Sequence, residues 1–316
     1  MKIFRRMFFV FALLIMLVGC KKNPEKVNLN IMVPLGSPAL SQTYMESTLP
    51  SLGENVTYSI DIVSGTDPLI AAFASESHNI IYAPTNLGAK LISTGVNYSY
   101  AGTIVWGNYY LATGADIDFS FSDLEGKEII LFGQNSTPDI IVQTIINSYN
   151  FTNAPTITYV DSVGTALATL AADHTKIVLL AEPVLSVASL PSNVPNIKII
   201  DIQSEWEILT GEGSYPQAGI FVHNDLNIDV VHDYLLMVED SIEQALQDPA
   251  AIAQMAVDLE YGFPLPVLIG AIPRSHLEFK NAQESRDAME LYFNYILDFN
   301  PALIGGALPG DSFYID

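Results

Sequence analysis

Hydrophobic and polar residues alternate in several short stretches of this chain. Val27, Leu29, Ile31 and Val33 are apolar at every second position, and residues 56–62 repeat the pattern. Alternation over four to eight residues predicts β-strands. Further short apolar runs lie at 79–83, 128–132, 156–160 and 176–181. We therefore expect at least six strands in the first two thirds of the chain.

Helix-compatible stretches separate these strands, among them residues 137–149 and 163–172. Strands that alternate with helices predict an α/β fold with mostly parallel sheets. The last hundred residues instead have apolar positions at spacings of three and four, which predict two amphipathic helices that pack on a core. These positions are Ile228, Val231, Leu235, Val238 and Ile242, and then Ala288, Leu291, Tyr295 and Phe299.

Three predicted helices begin with a capping residue and a proline: Ser37-Pro38, Asp67-Pro68 and Thr137-Pro138. Ser, Thr and Asp are preferred as helix caps, and proline fits the first turn. The free amide groups of such helices would point out at the carboxyl ends of the preceding strands, where open α/β sheets bind ligands. Two interpretations remain open here, since the residues also serve simply as caps.

The first twenty residues have the pattern of an export signal. Lys2, Arg5 and Arg6 precede an unbroken apolar run at 7–18, and Gly19-Cys20 follows. Twelve apolar residues are too few to span a membrane but suit a signal peptide. The sequence 17–20 resembles a bacterial lipobox, which implies cleavage before Cys20 and lipidation of its sulfur. An ordinary secretory signal with an incidental cysteine is the alternative.

Composition narrows the class of protein. The 316 residues carry 13 Lys and Arg against 35 Asp and Glu, a net charge of −22, so we expect no nucleic-acid partner. A single cysteine excludes an intrachain disulfide and a cysteine-based zinc site. The five histidines lack ligand spacing, and no G-x-S-x-G or G-x-x-x-x-G-K-[ST] motif occurs. We therefore expect no catalytic residues, no metal and no cofactor.

Four stretches, in order along the chain, resemble motifs of one protein family. They are residues 80–86 (IIYAPTN), 123–129 (DLEGKEI), 178–183 (VLLAEP) and 215–222 (YPQAGIFV). They are similar to segments of the solute-binding proteins of bacterial ABC importers, in the branch that includes nitrate, sulfonate and thiamine-pyrimidine binders. The resemblance implies a two-lobed periplasmic-binding-protein type II fold, with two mixed, mostly parallel sheets joined by a two-strand hinge.

The same resemblance implies how the chain is organised. A signal peptide at 1–19 and a lipidated tether at 20–26 would precede lobe 1, formed by 27–108 and 217–316, while 109–216 would form lobe 2. Hinge crossings would lie near Tyr109–Thr113 and 213–217. A monomer on the extracytoplasmic face of the cell membrane would then pass its solute to a permease and its ATPase.

The distribution of cations predicts which solute the cleft would hold. Beyond the tether the only cations are Lys90, Lys127, Lys176, Lys198, Lys280, Arg274 and Arg286. None lies in the sequence of a candidate ligand loop, and Asp67 and Asp139 already place carboxylates at two helix starts. Since anions are usually held by Arg, Lys or free helix N-termini, we expect a neutral or cationic solute.

Aromatic residues near the crossings suit a flat heterocyclic ring, with a cation–π contribution if the ring is positive. Glu182 would accept a hydrogen bond from an amine. The candidate ligand-binding residues are Ser37, Thr66, Tyr82, Thr85, Asn86, Trp106, Asn108, Tyr109, Asn135, Ser136, Glu182 and Tyr215. Strand packing remains an alternative role for Trp106, Tyr109 and Tyr110, as does a solvated or hinge-bonded carboxylate for Glu182.

Two other functions stay open at this point. One is an enzyme on the same fold, although the pyrimidine synthases it would resemble need a cysteine-rich motif that this chain lacks. The other is a surface receptor or adhesion lipoprotein without a transport role.

Overall fold

The computed structural model describes residues 26–117 and 119–315. The expected signal peptide and Cys20 lie outside this part of the chain. In the described part, eleven strands form two separate sheets, and no helix there is both long and apolar enough to cross a membrane.

Six strands form the first sheet: β1 (Val27–Pro34), β2 (Val56–Val63), β3 (Ile80–Pro84), β4 (Tyr98–Val105), β10 (Ala218–His223) and β11 (Leu277–Asn281). Their order is β11-β4-β10-β3-β1-β2. β1 pairs in parallel with β2 and β3, with Ile31 opposite both Ile60 and Ile80. β10 is antiparallel to both β3 and β4.

Five strands form the second sheet: β5 (Tyr109–Thr113), β6 (Glu128–Phe132), β7 (Thr156–Val160), β8 (Ile177–Ala181) and β9 (Lys198–Asp201). Their order is β7-β6-β8-β5-β9. β6 is parallel to β7 and β8, while β5 runs antiparallel between β8 and β9. In each sheet, the antiparallel inner strand is the first strand after the chain arrives from the other sheet. The predicted α/β fold with two mixed sheets is confirmed, although only four of the nine pairings between the described strands are parallel.

Twelve α-helices and three short 3₁₀ turns (Phe121–Leu124, Pro301–Ile304 and Asp311–Phe313) belong to the described residues. The helices are α1 (Ser37–Leu40), α2 (Thr43–Thr48), α3 (Asp67–Ser75), α4 (Thr85–Ile92), α5 (Thr137–Ser148), α6 (Val163–Ala172), α7 (Val184–Ala188), α8 (Ile202–Thr210), α9 (Ile228–Gln247), α10 (Pro249–Asp258), α11 (Leu265–Arg274) and α12 (Arg286–Phe299).

The core has three apolar clusters. One lies between the first sheet and α9 to α11, where Leu29, Ile31 and Val33 are fully buried as their alternation predicts. Another lies under α6 and α7 on the second sheet. The third is continuous from Phe221 of the first sheet to Leu131 of the second. The two sheets therefore share buried apolar surface, which holds them against each other.

Alternation did not predict β4 and β5, because these strands are buried on both faces. Every residue of β4 and of β5 is buried. A strand that is covered on both sides has no polar face, so its sequence does not alternate. The sequence motif at 215–222 did point to β10, which forms at Ala218–His223.

Two helix predictions are wrong in detail. Ser37, Asp67 and Thr137 are the first helical residues rather than caps, and no side chain caps α1, α3 or α5. In α12 the buried positions are Met289, Tyr292, Phe293 and Ile296, while Ala288, Leu291, Tyr295 and Phe299 are only partly buried. The helix is turned because its aromatic residues pack into the cluster shared by both sheets.

Candidate functional site

The chain passes between the sheets twice, and the two crossings lie side by side. The first runs from β4 to β5 through Trp106, Gly107 and Asn108, and the second returns from α8 to β10 through residues 211–217. The Ser214 hydroxyl donates to the Trp106 carbonyl, and the backbone N–H of Gln217 donates to the Val105 carbonyl at 2.9 Å. We call the region around these crossings, where the two sheets meet, the intersheet boundary.

Asn108 connects the loops that follow β1 and β8. Its side-chain amide group donates to Ser37 Oγ at 2.7 Å and to the Glu182 carbonyl at 3.5 Å, and Ser37 Oγ donates to Ser275 Oγ at 3.0 Å. Ser37, Asn108 and Glu182 are all buried. Asn108 Oδ1 is also buried but has no hydrogen-bond partner among the described atoms. A buried acceptor without a donor is uncommon, so it marks a place that a donor could occupy.

Thr85 and Asn86 bring the loop after β3 to the same boundary. Asn86 Oδ1 accepts a hydrogen bond of 3.0 Å from the Thr137 hydroxyl at the start of α5, which belongs to the second-sheet side. The Thr85 hydroxyl donates to the Pro216 carbonyl at 2.6 Å, and its amide donates to the Gln217 carbonyl at 3.1 Å. Gln217 Oε1 is a second buried acceptor without a partner in the described structure.

Glu182 lies at the boundary, but its carboxylate is already bound. Oε2 accepts from the Ser186 amide at 3.1 Å and from the Ser186 hydroxyl at 2.8 Å, while Oε1 accepts from Arg274 Nε at 2.5 Å. No cation lies within a candidate ligand loop in the sequence, but the fold brings one to the loop that contains Glu182. Arg274 ends α11, far away in sequence, and only the fold brings it to Glu182. Because the carboxylate balances the guanidinium, this part of the boundary has no net charge.

Four aromatic side chains meet on the other side of the crossings, and we call them the aromatic cluster: Tyr109, Trp206, Tyr215 and Tyr292. The rings of Tyr109 and Tyr215 are nearly parallel, 15° apart in plane, with centroids at 6.5 Å. Trp206 meets Tyr215 edge-on at 5.5 Å, and Tyr292 lies 6.0 Å from Tyr215. Trp206, Tyr215 and Tyr292 are completely or almost completely buried.

The phenols of this cluster stay neutral at ordinary pH. Burial raises the pKa of Tyr109, Tyr215 and Tyr292 well above the usual range, and neighbouring phenols raise those of Tyr109 and Tyr215 further. The hydroxyl oxygens of Tyr215 and Tyr292 are buried without a hydrogen-bond partner among the described atoms. Each neutral hydroxyl can donate one hydrogen bond and accept others.

Gly107 allows the crossings to pack closely. A Cβ added there would lie 2.9 Å from Gln203 Oε1 and 3.0 Å from the Tyr215 hydroxyl, and its φ of +82° suits only glycine well. Both of those oxygens are therefore next to the Gly107 backbone, and both are buried without a partner in the described structure. Neither Gln203 nor Gly107 had a signal in the sequence.

The remaining candidate residues lie elsewhere. Tyr82 is fully buried in the core beside the first sheet, with its hydroxyl 2.8 Å from that of Tyr234. Thr66 is exposed before α3, and Asn135 is exposed before α5. Ser136 beside it donates to the Gly133 carbonyl at 2.6 Å. None of the four has a hydrogen bond or ring contact with the crossings.

Trp106 faces a groove that is lined in part by Gly213 and Ser214 of the second crossing. Its indole N–H donates to the Glu278 carbonyl at 3.0 Å, and the Lys280 ammonium lies 4.5 Å from the ring centroid. The groove has a volume of about 450 Å³, and its lining includes four acidic residues, Glu212, Glu278, Glu284 and Asp287. The chain's own lysine therefore occupies the ring face that was expected to stack on a solute.

Several boundary residues were missed from the sequence. Thr137 had been identified only as a helix start, and Arg274 was assigned to no loop. Trp206 and Tyr292 lie on helices, where an aromatic residue usually signals core packing. Among the described residues, no group of three or more His, Cys, Asp and Glu side chains could hold a metal ion.

Known structures with a similar fold include solute-binding proteins of ABC transporters. An ABC transporter structure from Parabacteroides distasonis has a TM-score of 0.79 at 18% identity, covering 92% of this chain and 99% of that one. The periplasmic aliphatic sulphonate binding protein of Escherichia coli has a TM-score of 0.65 at 13% identity, covering 92% and 96%. A Candida albicans protein described as having the generic periplasmic binding protein fold has a TM-score of 0.54 at 13% identity, covering 90% and 99%.

No protein-family profile and no curated protein matches the sequence. The structural similarity therefore defines the fold: the chain has the periplasmic-binding-protein fold shared with the solute-binding components of ABC importers.

Proposed function

We propose that this chain is an extracytoplasmic solute-binding protein that captures a small neutral or cationic solute with a flat ring and delivers it to an ABC importer. Lobe 1 would comprise 27–108 and 217–316, and lobe 2 would comprise 109–216, with the solute between them. The observation that carries the proposal is the position of the unpaired buried oxygens. Five of them, on Asn108, Gln203, Tyr215, Gln217 and Tyr292, belong to the crossings or to elements packed on them.

The chemistry of these oxygens supports a neutral or cationic solute. Three belong to side-chain amides and can only accept hydrogen bonds, so they favour a guest that carries N–H or O–H groups. An anion would face these acceptors, and the one nearby guanidinium is already paired with Glu182. The Escherichia coli neighbour is named for aliphatic sulphonates, which are anions. We infer that this chain differs from it in solute.

The solute would be held by the buried residues of the boundary. Ser37, Thr85, Asn86, Asn108 and Glu182 would shape its polar side, and Tyr109 and Tyr215 would supply the aromatic surface. Solutes of this kind are bound by a few well-placed polar groups within a largely apolar lining. Thr66, Tyr82, Asn135 and Ser136 are left out of this site because they make no hydrogen bond or ring contact with the crossings, and Trp106 is left out because Lys280 covers its ring.

The sequence supports an attachment to the membrane. The lipobox-like end of the apolar run makes Cys20 the proposed lipidation site, and Lys21, Lys22 and Lys26 would attract an anionic leaflet. A monomer tethered in this way would stay close to its permease and the associated ATPase. As a binding protein it would release the solute unchanged.

The test compares two tyrosines whose hydroxyls are both buried without a hydrogen-bond partner in the described structure. Native mass spectrometry of the freshly purified protein would identify a bound small molecule, and calorimetry would give its affinity. Tyr215→Phe removes an unpaired hydroxyl at the boundary, so we expect affinity to fall by about 1–2 kcal/mol. Tyr314→Phe removes an equally buried and unpaired hydroxyl near the C-terminus, and should leave affinity unchanged. Equal affinities in both variants, or conversion of the solute, would contradict the proposal.

A further inference from the structure

An ion pair joins the first-sheet side of the intersheet boundary to the second-sheet side. Arg274 is the last residue of α11 on the first-sheet side, and Glu182 directly follows β8 of the second sheet. Arg274 Nε lies 2.5 Å from Glu182 Oε1, and Arg274 Nη2 donates to Ser186 Oγ at 2.6 Å. Ser186 belongs to α7 and itself donates twice to Glu182. The guanidinium thus binds the second-sheet side at two points.

The neighbouring residues hold Arg274 in this position. The Tyr110 hydroxyl of β5 donates to the Arg274 carbonyl at 2.8 Å and lies 2.8 Å from His276 Nε2. Ser275, between them, bonds to Ser37, which in turn is bonded to Asn108 of the first crossing. The backbone at the end of α11 is therefore fixed against residues of both sheets, which keeps Arg274 beside Glu182.

The two partners differ in exposure, and this difference determines what separation would do. The Glu182 side chain is 0% exposed, whereas that of Arg274 is 37% exposed. If the sheets move apart, water can replace the contacts of the guanidinium, but the carboxylate keeps only those of Ser186 until its site is hydrated. A buried charge that loses its partner is strongly disfavoured. Separation of the two sheets is therefore opposed. It remains reversible, because water can solvate the partly exposed guanidinium once the ion pair is broken.

We propose that the Arg274–Glu182 ion pair biases the protein towards the arrangement in which the two sheets are in contact, before any solute binds. This inference rests on the proposed function in one respect, namely that the two lobes move about the crossings. The solute would then bind to a protein whose two sheets are already in contact for much of the time. Apparent affinity falls when the binding-competent state is rarely populated, so the ion pair would raise the apparent affinity.

Distances between spin labels on the two sides test this proposal without any solute. Leu236 on α9 and Ile208 on α8 are both exposed, and each can be replaced by cysteine in a Cys20→Ser background. When Arg274 and Glu182 are both intact, we expect one narrow distribution of distances between the two spin labels. Arg274→Gln should raise the population at longer distance about ten-fold, and Arg274→Lys, which keeps the charge but loses the second donor, should lie between.

The chain offers a matched control. Arg286 also binds two carboxylates, Glu290 at 2.8 Å and Asp311 at 2.6 Å, but both lie on the first-sheet side. Arg286→Gln should therefore leave the distances unchanged. If Arg274→Gln does not fold, Glu182→Gln, which retains the size of the side chain but removes its charge and one accepting oxygen, gives the same comparison.

Identical distributions in the parent, Arg274→Gln and Glu182→Gln would overturn the proposal, as would an equal change in Arg286→Gln. The measurement separates this inference from the proposed function. If distances respond to Arg274 but no solute binds, the ion-pair proposal stands and the solute proposal fails. If a solute binds and Tyr215→Phe weakens it while distances ignore Arg274, only the ion-pair proposal fails.

Discussion

The intersheet boundary has a polar side, around Arg274 and Glu182, and an aromatic side, formed by the aromatic cluster. Different forces hold the two sides together. Around Arg274 and Glu182, charged and polar groups satisfy one another, and the guanidinium is partly open to solvent. In the aromatic cluster the contacts are apolar, and the polar atoms that remain, the hydroxyls of Tyr215 and Tyr292, are unpaired. The polar side can exchange its contacts for water, whereas the aromatic side has buried hydroxyls that the polar groups of a guest would pair. In the functions proposed above, the polar side would favour contact between the sheets, and the aromatic side would select the solute.

The largest effect should come from adding one methyl group beside the aromatic cluster. Gly107→Ala would place a Cβ 2.9 Å from Tyr215 Cζ and Gln203 Oε1, at a φ of +82°. Strain and overpacking together should lower the free energy of unfolding by about 3 kcal/mol. Chemical denaturation measures this loss.

Gly65→Ala separates the two causes. Gly65 has a similar φ of +77°, but an added Cβ there would meet no atom within 4 Å. We expect a loss of about 1 kcal/mol from backbone strain alone. Equal losses at the two glycines would show that the crossings near Tyr215 can accommodate an added methyl group, and would refute close packing at Gly107.

A smaller effect should distinguish two aromatic residues that the sequence made equivalent. Tyr109→Ala removes one of the two parallel rings of the aromatic cluster, so the affinity for the solute should fall by about 1–3 kcal/mol. Trp106→Ala removes a ring whose face is covered by Lys280 in the groove beside the second crossing, and affinity should stay within a factor of two. Calorimetric titration of both variants checks the ranking, and a reversed order would move the site to the groove.

The sequence predicted the fold better than the site, and particular residues show why. Alternation located β1 and β2, and loops after β1, β3 and β8 do converge on Asn108 and the crossings. Local patterns report burial and strand ends, so they find such loops. They cannot report which distant residue arrives beside a loop.

Arg274 illustrates what was out of reach. It lies 92 residues from Glu182 in sequence, and only the return of the chain to the first sheet brings the two together. Trp106 illustrates the opposite error. Its place next to the first crossing was foreseen, but the direction in which its ring faces depends on the packing of β11, which carries Lys280.

The smallest effect concerns pH and should appear only on the polar side of the boundary. His276 lies 2.8 Å from the Tyr110 hydroxyl and 3.9 Å from Asp201 Oδ2. Burial lowers the pKa of His276 below its ordinary 6.5, although Asp201 opposes this shift. The folded protein therefore binds this proton less readily than the unfolded chain. The contribution of His276 to stability is present above pH 6.5 and is lost as the pH falls through the lowered value.

Between pH 7.5 and 5.5 we expect this histidine to account for a loss of about 1 kcal/mol in the free energy of unfolding. Because carboxylates elsewhere also begin to titrate in that interval, the comparison is with His276→Asn, whose side chain tolerates the φ of +47° at this position. The parent should lose more stability than the variant on acidification. The raised phenol pKa values of the aromatic cluster predict no such response there. Equal pH dependence in parent and variant would mean that His276 is hydrated, and that the polar side of the boundary is more open than its hydrogen bonds indicate.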